Sequence, residues 1–243
     1  MNSFFTGIRE TIVPPAGARH GPLPPLLLGL TVVTGLVDAF SYLVLGHVFV
    51  ANMTGNVVFL GFALVGAPGF SIGASAVALV SFWLGALVGG KVGVRLGEHR
   101  GRHLTVAASA QVALVAVSVL LAALSPHPVT WGFRYPLIVA LAVAMGIQNA
   151  TARKLAVPDL TTTVLTLTIT GIAADSTVAG GRGSSTGRRV ISVASMLAGA
   201  IVGAVFVLHV SVVLPLVIAL VVLVAVAGGA HVLGRGEATW VRP

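Results

Sequence analysis

Apolar residues fall in eight stretches along the chain, at 24–46, 48–66, 72–91, 103–124, 134–152, 159–175, 190–208 and 212–233. A helix needs about 20 apolar residues to cross a bilayer, and six of the eight meet that requirement comfortably. The other two are interrupted. Asn52, Thr54, Gly55 and Asn56 break 48–66, and Thr161, Thr162, Thr163, Thr166, Thr168 and Thr170 break 159–175. The pattern predicts an all-α membrane bundle, with either eight spans or six spans and two polar segments that enter and return.

The positions of the bases separate these topologies, because Lys and Arg concentrate in cytoplasmic loops. With eight spans, Arg9, Arg19, Arg134, Arg182, Arg188, Arg189, Arg235 and Arg242 face Lys91, Arg95, Arg100, Arg102, Arg153 and Lys154 across the membrane, almost without bias. If 48–66 and 159–175 do not cross, every base except Arg134 falls on one side. The chain is therefore read as six transmembrane helices plus two re-entrant or broken segments. Residues 1–23 and 234–243 are cytoplasmic tails, and 24–124 and 134–233 are two membrane halves. The first tail has no long apolar core and no cleavage site of a secretory signal. It is read as carrying a brief interfacial helix.

The halves share order as well as size. Gly35-Leu36-Val37-Asp38-Ala39 corresponds to Gly146-Ile147-Gln148-Asn149-Ala150, and Gly85-Ala86-Leu87-Val88-Gly89 to Gly199-Ala200-Ile201-Val202-Gly203. A polar segment lies between the two markers in each half. Three spans per half place the second upside down relative to the first, the inverted-repeat plan of many transporters, whose site lies near the midplane. The repeat is about 110 residues long.

The run Gly35…Asp38…Ser41…Gly46-His47-Val48-Phe49-Val50-Ala51-Asn52-Met53-Thr54-Gly55-Asn56 resembles the signature of the YoaK family of bacterial inner-membrane proteins. Gly146-Ile147-Gln148-Asn149-Ala150 is similar to that family's second conserved stretch, and the likeness extends over roughly 24–233. The resemblance implies a six-span-type bacterial membrane protein in the cytoplasmic (inner) membrane, and it implies no activity. The second half reads Leu165-Thr166-Leu167-Thr168, without the first half's Gly-Asn, so the two polar segments need not do the same job.

Composition removes other classes. The chain is 56% hydrophobic and 8% charged, against about 25% charged in soluble domains, which excludes a soluble, disordered or fibrous protein. Absent cysteines exclude disulfides and thiolate chemistry. The net charge of +8 is scattered between apolar stretches, so nucleic acid is not an expected partner. No metal-binding histidine spacing or phosphate loop is present, and Gly183-Ser184-Ser185-Thr186-Gly187 lies in a loop rather than at a strand–helix elbow. The chain is expected not to be an enzyme and to need no cofactor.

The remaining chemistry is buried polarity. Asp38 lies inside an apolar run, where a carboxyl is costly and by default functional. Thr31, Thr34, Asp38 and Ser41 form a stripe at 3 and 4 spacing, expected to face the bundle interior. Asp38 is read as a protonatable or cation-binding group, or as a hydrogen-bonded lock between helices. Asn52, Thr54 and Asn56, with Gln148 and Asn149, complete a candidate substrate site near the midplane. Thr163, Thr166 and Thr170 form a hydroxyl face, and Arg153, Lys154 and Asp159 are read as topology anchors, or Arg153 as pairing with an acid or drawing an anionic solute toward the site. The GxxxG helices let backbones approach closely, between halves or in a homo-oligomer. The function expected is a small-solute or ion permease. The alternative is a non-transporting membrane scaffold, favoured if Asp38 and Asn52 prove sealed and mutually satisfied.

Overall fold

The computed structural model describes residues 2–96, 98–126, 128–160, 162, 165–176, 179–181, 185–235 and 239–241. Thr161, Thr163, Gly97, Arg182, Gly183, Ser184 and Arg242 lie outside them. The described residues form the helices α1 (Asn2–Ile12), α2 (Leu23–Val44), α3 (Met53–Leu64), α4 (Ile72–Leu96), α5 (Arg100–Leu124), α6 (Trp131–Leu155), α7 (Leu165–Ala174), α8 (Thr186–His209) and α9 (Leu214–Leu233). A short 3-10 turn, Thr239–Val241, follows. Prolines open α2 and α9 in their first turns, where the missing N–H has no partner to lose.

Six helices, α2, α4, α5, α6, α8 and α9, are long and apolar enough to cross a membrane. The two polar stretches are shorter than their hydropathy suggests. α3 has 12 residues and α7 has 10. At 1.5 Å per residue these rise about 18 and 15 Å, too little for a hydrocarbon core of about 30 Å. The bundle's outer face is apolar, with Leu87, Val94, Leu120, Ile201 and Val221 exposed, as lipid contact requires.

The halves are interleaved. α2 packs on α8 and α4 on α6, with α5 against α9, α5 against α6 and α2 against α9. α3 lies on α4, and α7 on α8. Gly35 and Gly199 bring α2 and α8 into backbone contact, and a Cβ at either would press into a carbonyl oxygen, of Met196 and Val32 respectively. Gly146 and Gly85 do the same for α6 and α4, against Phe82 and Val143. At these four glycines the close approach is made between helices of the chain itself. α2 and α6 run in opposite directions: the start of α6 meets the turn after α2 (Arg134 at Gly46), while Gln148 near its end reaches Leu30.

One end of the bundle collects the bases. There Arg100 donates to the carbonyl of Leu155, the last residue of α6, and contacts His20 Nδ1 at 3.2 Å. Partial burial, with Arg100 beside it, lowers the His20 pKa below its ordinary value. α1 packs on α8 at this end, with Gly187 close to the Phe4 backbone.

Candidate functional site

Thr31, Thr34, Asp38 and Ser41 are all buried, so the stripe faces inward as its spacing predicts. Thr31 and Thr34 donate to carbonyls four residues back, and Ser41 donates to the Asp38 carbonyl. Hydroxyls satisfied in this way cost a membrane helix little. Asp38 sits six residues before the end of α2, about 9 Å from that end, so it is displaced from the middle of the helix.

The chain after α2 turns back onto this carboxyl. Gly46 and His47 both have positive φ, 85° and 55°, a left-handed pair that reverses the backbone. Residues 48–52 then descend along the last turns of α2. Asp38 Oδ1 accepts from the backbone N–H groups of Val50 (3.0 Å) and Ala51 (2.9 Å), and Oδ2 accepts from Asn52 Nδ2 (2.5 Å). Asp38 is only 4% exposed. A buried carboxyl is tolerable when its oxygens are fully hydrogen-bonded, and here all three donors come from the adjoining loop.

Asn56 fastens the same loop from the other side. Its Oδ1 accepts from Phe49 N (2.9 Å) and its Nδ2 donates to Phe49 O (2.6 Å), so the side-chain amide pairs with one residue's backbone much as a neighbouring strand would. Around it Tyr42, Phe49 and Phe59 pack ring on ring. Phe59 reaches Phe70, which also meets His47, and His47 Nδ1 lies 2.9 Å from Gly69 O. Both ends of the excursion 45–71 thus come back to the end of α2.

The six candidate residues do not converge on one point. Asp38, Asn52 and Asn56 form the loop clasp. Thr54 is exposed on α3. Gln148 belongs to the α2–α6 seam, where Nε2 donates to Thr34 Oγ1 (2.8 Å) and Leu30 O (3.2 Å). Asn149 donates to Met145 O on its own helix. Gln148 is fully buried, yet its Oε1 has no hydrogen-bond partner.

Thr162 Oγ1, Arg134 Nε and Arg188 Nε, outside this seam, share that property, and so do three further side chains on the helices beside it. His103 Nε2 and Gln111 Oε1 on α5, and Thr151 Oγ1 on α6, are buried without partners. α5 and α6 are packed together and run oppositely. By rise per residue Gln148, His103, Gln111 and Thr151 are spread over roughly the first 16 Å from the basic end. Sequence reasoning missed His103, Gln111 and Thr151. Lone polar residues on apolar helices at no common spacing carry no signal until two helices are juxtaposed.

The second half is fastened differently. Arg189 on α8 donates Nε to Asp159 (2.8 Å) and Nη1 to Asp175 (2.6 Å) and to the Gly171 carbonyl (2.5 Å). Asp159 thus pairs with Arg189, 30 residues away, rather than with neighbouring Arg153. Thr170 donates to Thr166 O within α7.

Comparison with known proteins places the chain. The model of the family described as "Protein of unknown function (DUF1275)" matches residues 26–229. A similar protein is the "UPF0700 transmembrane protein YoaK" of Bacillus subtilis (strain 168), 33% identical over 150 residues. That match covers 62% of this chain and 65% of the relative's length. No solved structure matches.

Proposed function

This chain belongs to the DUF1275 family, whose function is unknown, and from that premise we propose that it is a small-solute or ion permease. The observation carrying this reading is Gln148 Oε1, a fully buried acceptor without a partner on the seam between the two halves. Leaving such an atom unpaired costs about 1–3 kcal/mol, and a donor-bearing solute or a cation at that point would recover it. Thr151 on α6 and His103 on α5 extend the same polarity toward the basic end, and Gln111 extends it the other way along α5. In this reading Asp38, Asn52 and Asn56 hold the loop that covers the other end.

The architecture supports it. We read the halves as inverted repeats, with α3 and α7 as re-entrant pieces, and both termini on the cytoplasmic side of a bacterial inner membrane. Paired short segments in corresponding positions of two halves are a pointer to a transport site. The interleaving of marker and GxxxG helices fits such a plan. The chain is read as non-enzymatic.

One observation favours the scaffold alternative: Asp38 is sealed, and its acceptors are taken by its own loop. Asn52 is only partly buried. Reconstitution separates the readings. Proteoliposomes challenged with urea, glycerol, ammonium or K⁺ should pass at least one of these faster than protein-free liposomes. Gln148→Leu should reduce that flux by roughly tenfold, since about 1.4 kcal/mol corresponds to a factor of ten. A flux unchanged in Gln148→Leu, or no flux at all, leaves the scaffold.

A further inference from the structure

At the basic end, α5 and α9 approach until Gly101 and Gly234 are in backbone contact. Beside that contact their ends leave a cavity of about 520 Å³, lined by His99, Arg102, Thr105, His231 and Arg235. Arg102 and Arg235 are exposed at its rim. Arg235 Nη2 lies 2.7 Å from His231 Nε2, and among the described residues no carboxylate pairs with either arginine. Glu98, the acid nearest in sequence to Arg102, makes no ion pair with it.

The cavity does not end at the charged rim. Thr105 and His231 also line a second, shallower hollow of about 490 Å³, which continues between the same two helices and is walled by Val112, Val224, Ala227 and Gly228. Val224 is exposed, and Gly228 has open space where a Cβ would stand. Both helices are membrane spans, so this hollow opens toward lipid tails. A positively charged pocket at headgroup height thus runs into an apolar furrow at acyl-chain height.

We propose that this cleft binds an anionic phospholipid, with the phosphate between Arg102 and Arg235 and one acyl chain along Val224, Ala227 and Gly228. The chemistry matches at both ends. Guanidinium groups without a carboxylate partner take phosphate oxygens in bidentate fashion, and basic pockets between membrane helices accept acidic headgroups. A soluble phosphate would use only the rim and would leave the furrow without a role. The site is separate from the Gln148 seam, so it stands whether or not the permease reading does.

The test uses the purified full chain in detergent, with bound lipid counted by native mass spectrometry. Phosphatidylglycerol and phosphatidylcholine of identical chains are offered in competition. The expected preference for phosphatidylglycerol is on the order of 30-fold, the equivalent of about 1 kcal/mol for each arginine. Arg102→Gln with Arg235→Gln should bring the ratio near unity. Arg9→Gln, which removes an exposed base on α1, should leave it unchanged. Gly228→Leu should reduce lipid retention by filling the furrow. Equal retention of both lipids, an undiminished preference in the double variant, or an equal loss in Arg9→Gln overturns the proposal. So does glycerol phosphate that displaces the lipid as effectively as phosphatidylglycerol does, since the furrow would then add nothing.

Discussion

The two short helices are fastened by different chemistry. α3 is held from inside, by a carboxyl and an amide that take up the backbone of residues 49–51. α7 is held at the basic end, by one arginine bridging two aspartates. The first set is sheltered from water. The second is sheltered only in part: the Arg189 and Asp159 side chains are 14% and 19% exposed, but Asp175 is 59% exposed. Burial makes hydrogen bonds costly to lose, whereas exposed ion pairs are screened and worth little. The halves therefore share a packing plan but differ in how firmly their short helices are held, and the first-half clasp is the stiffer of the two.

The largest effect should come where the halves do not differ. Gly146→Ala and Gly35→Ala each drive a Cβ into carbonyl oxygen of a packed helix. Each should cost about 3 kcal/mol or destroy the fold, because neither backbone can yield. Gly61→Ala, with nothing nearby, should change little. Thermal unfolding in detergent reads all three, and a marked asymmetry between Gly35 and Gly146 would break the shared plan.

Next comes the clasp. Asp38→Ala strands the N–H groups of Val50 and Ala51 and should cost about 2–6 kcal/mol, at 1–3 for each unpaired buried donor. Asp38→Asn keeps one acceptor oxygen and should lose about half of that. Neither loss should depend on salt.

Arg189→Gln tests the other half. It should cost about 0.5–1 kcal/mol at low ionic strength and almost nothing at 1 M salt, where the screening length is about 3 Å. A loss as large as that of Asp38→Ala, or one indifferent to salt, would erase the contrast.

The smallest effect is a pH dependence at the basic end. The His20 pKa is lowered in the folded chain from 6.5, so the unfolded chain binds the proton first. His20 therefore contributes stability that is complete above pH 6.5 and declines as pH falls below it. His20→Gln should flatten that decline, a difference visible in unfolding curves at pH 7.5 and 5.5.

Much of the fold was legible in the residues. Six spans follow from length and hydropathy, and the inward stripe of Thr31, Thr34, Asp38 and Ser41 follows from helical spacing. The glycine pairs gave the close contacts but not their partners. The lengths of α3 and α7 were hidden, because Val48, Phe49 and Val50 are as apolar in extended backbone as they would be in a helix. The saturation of Asp38 was hidden too. Its principal partners are backbone N–H groups 12 and 13 residues away, and backbone donors leave no mark in a sequence. For the same reason residues that share polarity were grouped into one site, where packing separates a fastening set from an unpaired one.

That separation is most directly tested by single-cysteine accessibility, since the chain has no cysteine of its own. Thr151→Cys, a near-isosteric change in the unpaired set, and Ala51→Cys, in the clasp, are reconstituted and exposed to a membrane-impermeant thiol reagent from each side. Thr151→Cys should be labelled from the basic side, while Ala51→Cys should stay protected until the protein is denatured. Rapid labelling at 51 with none at 151 would contradict that separation.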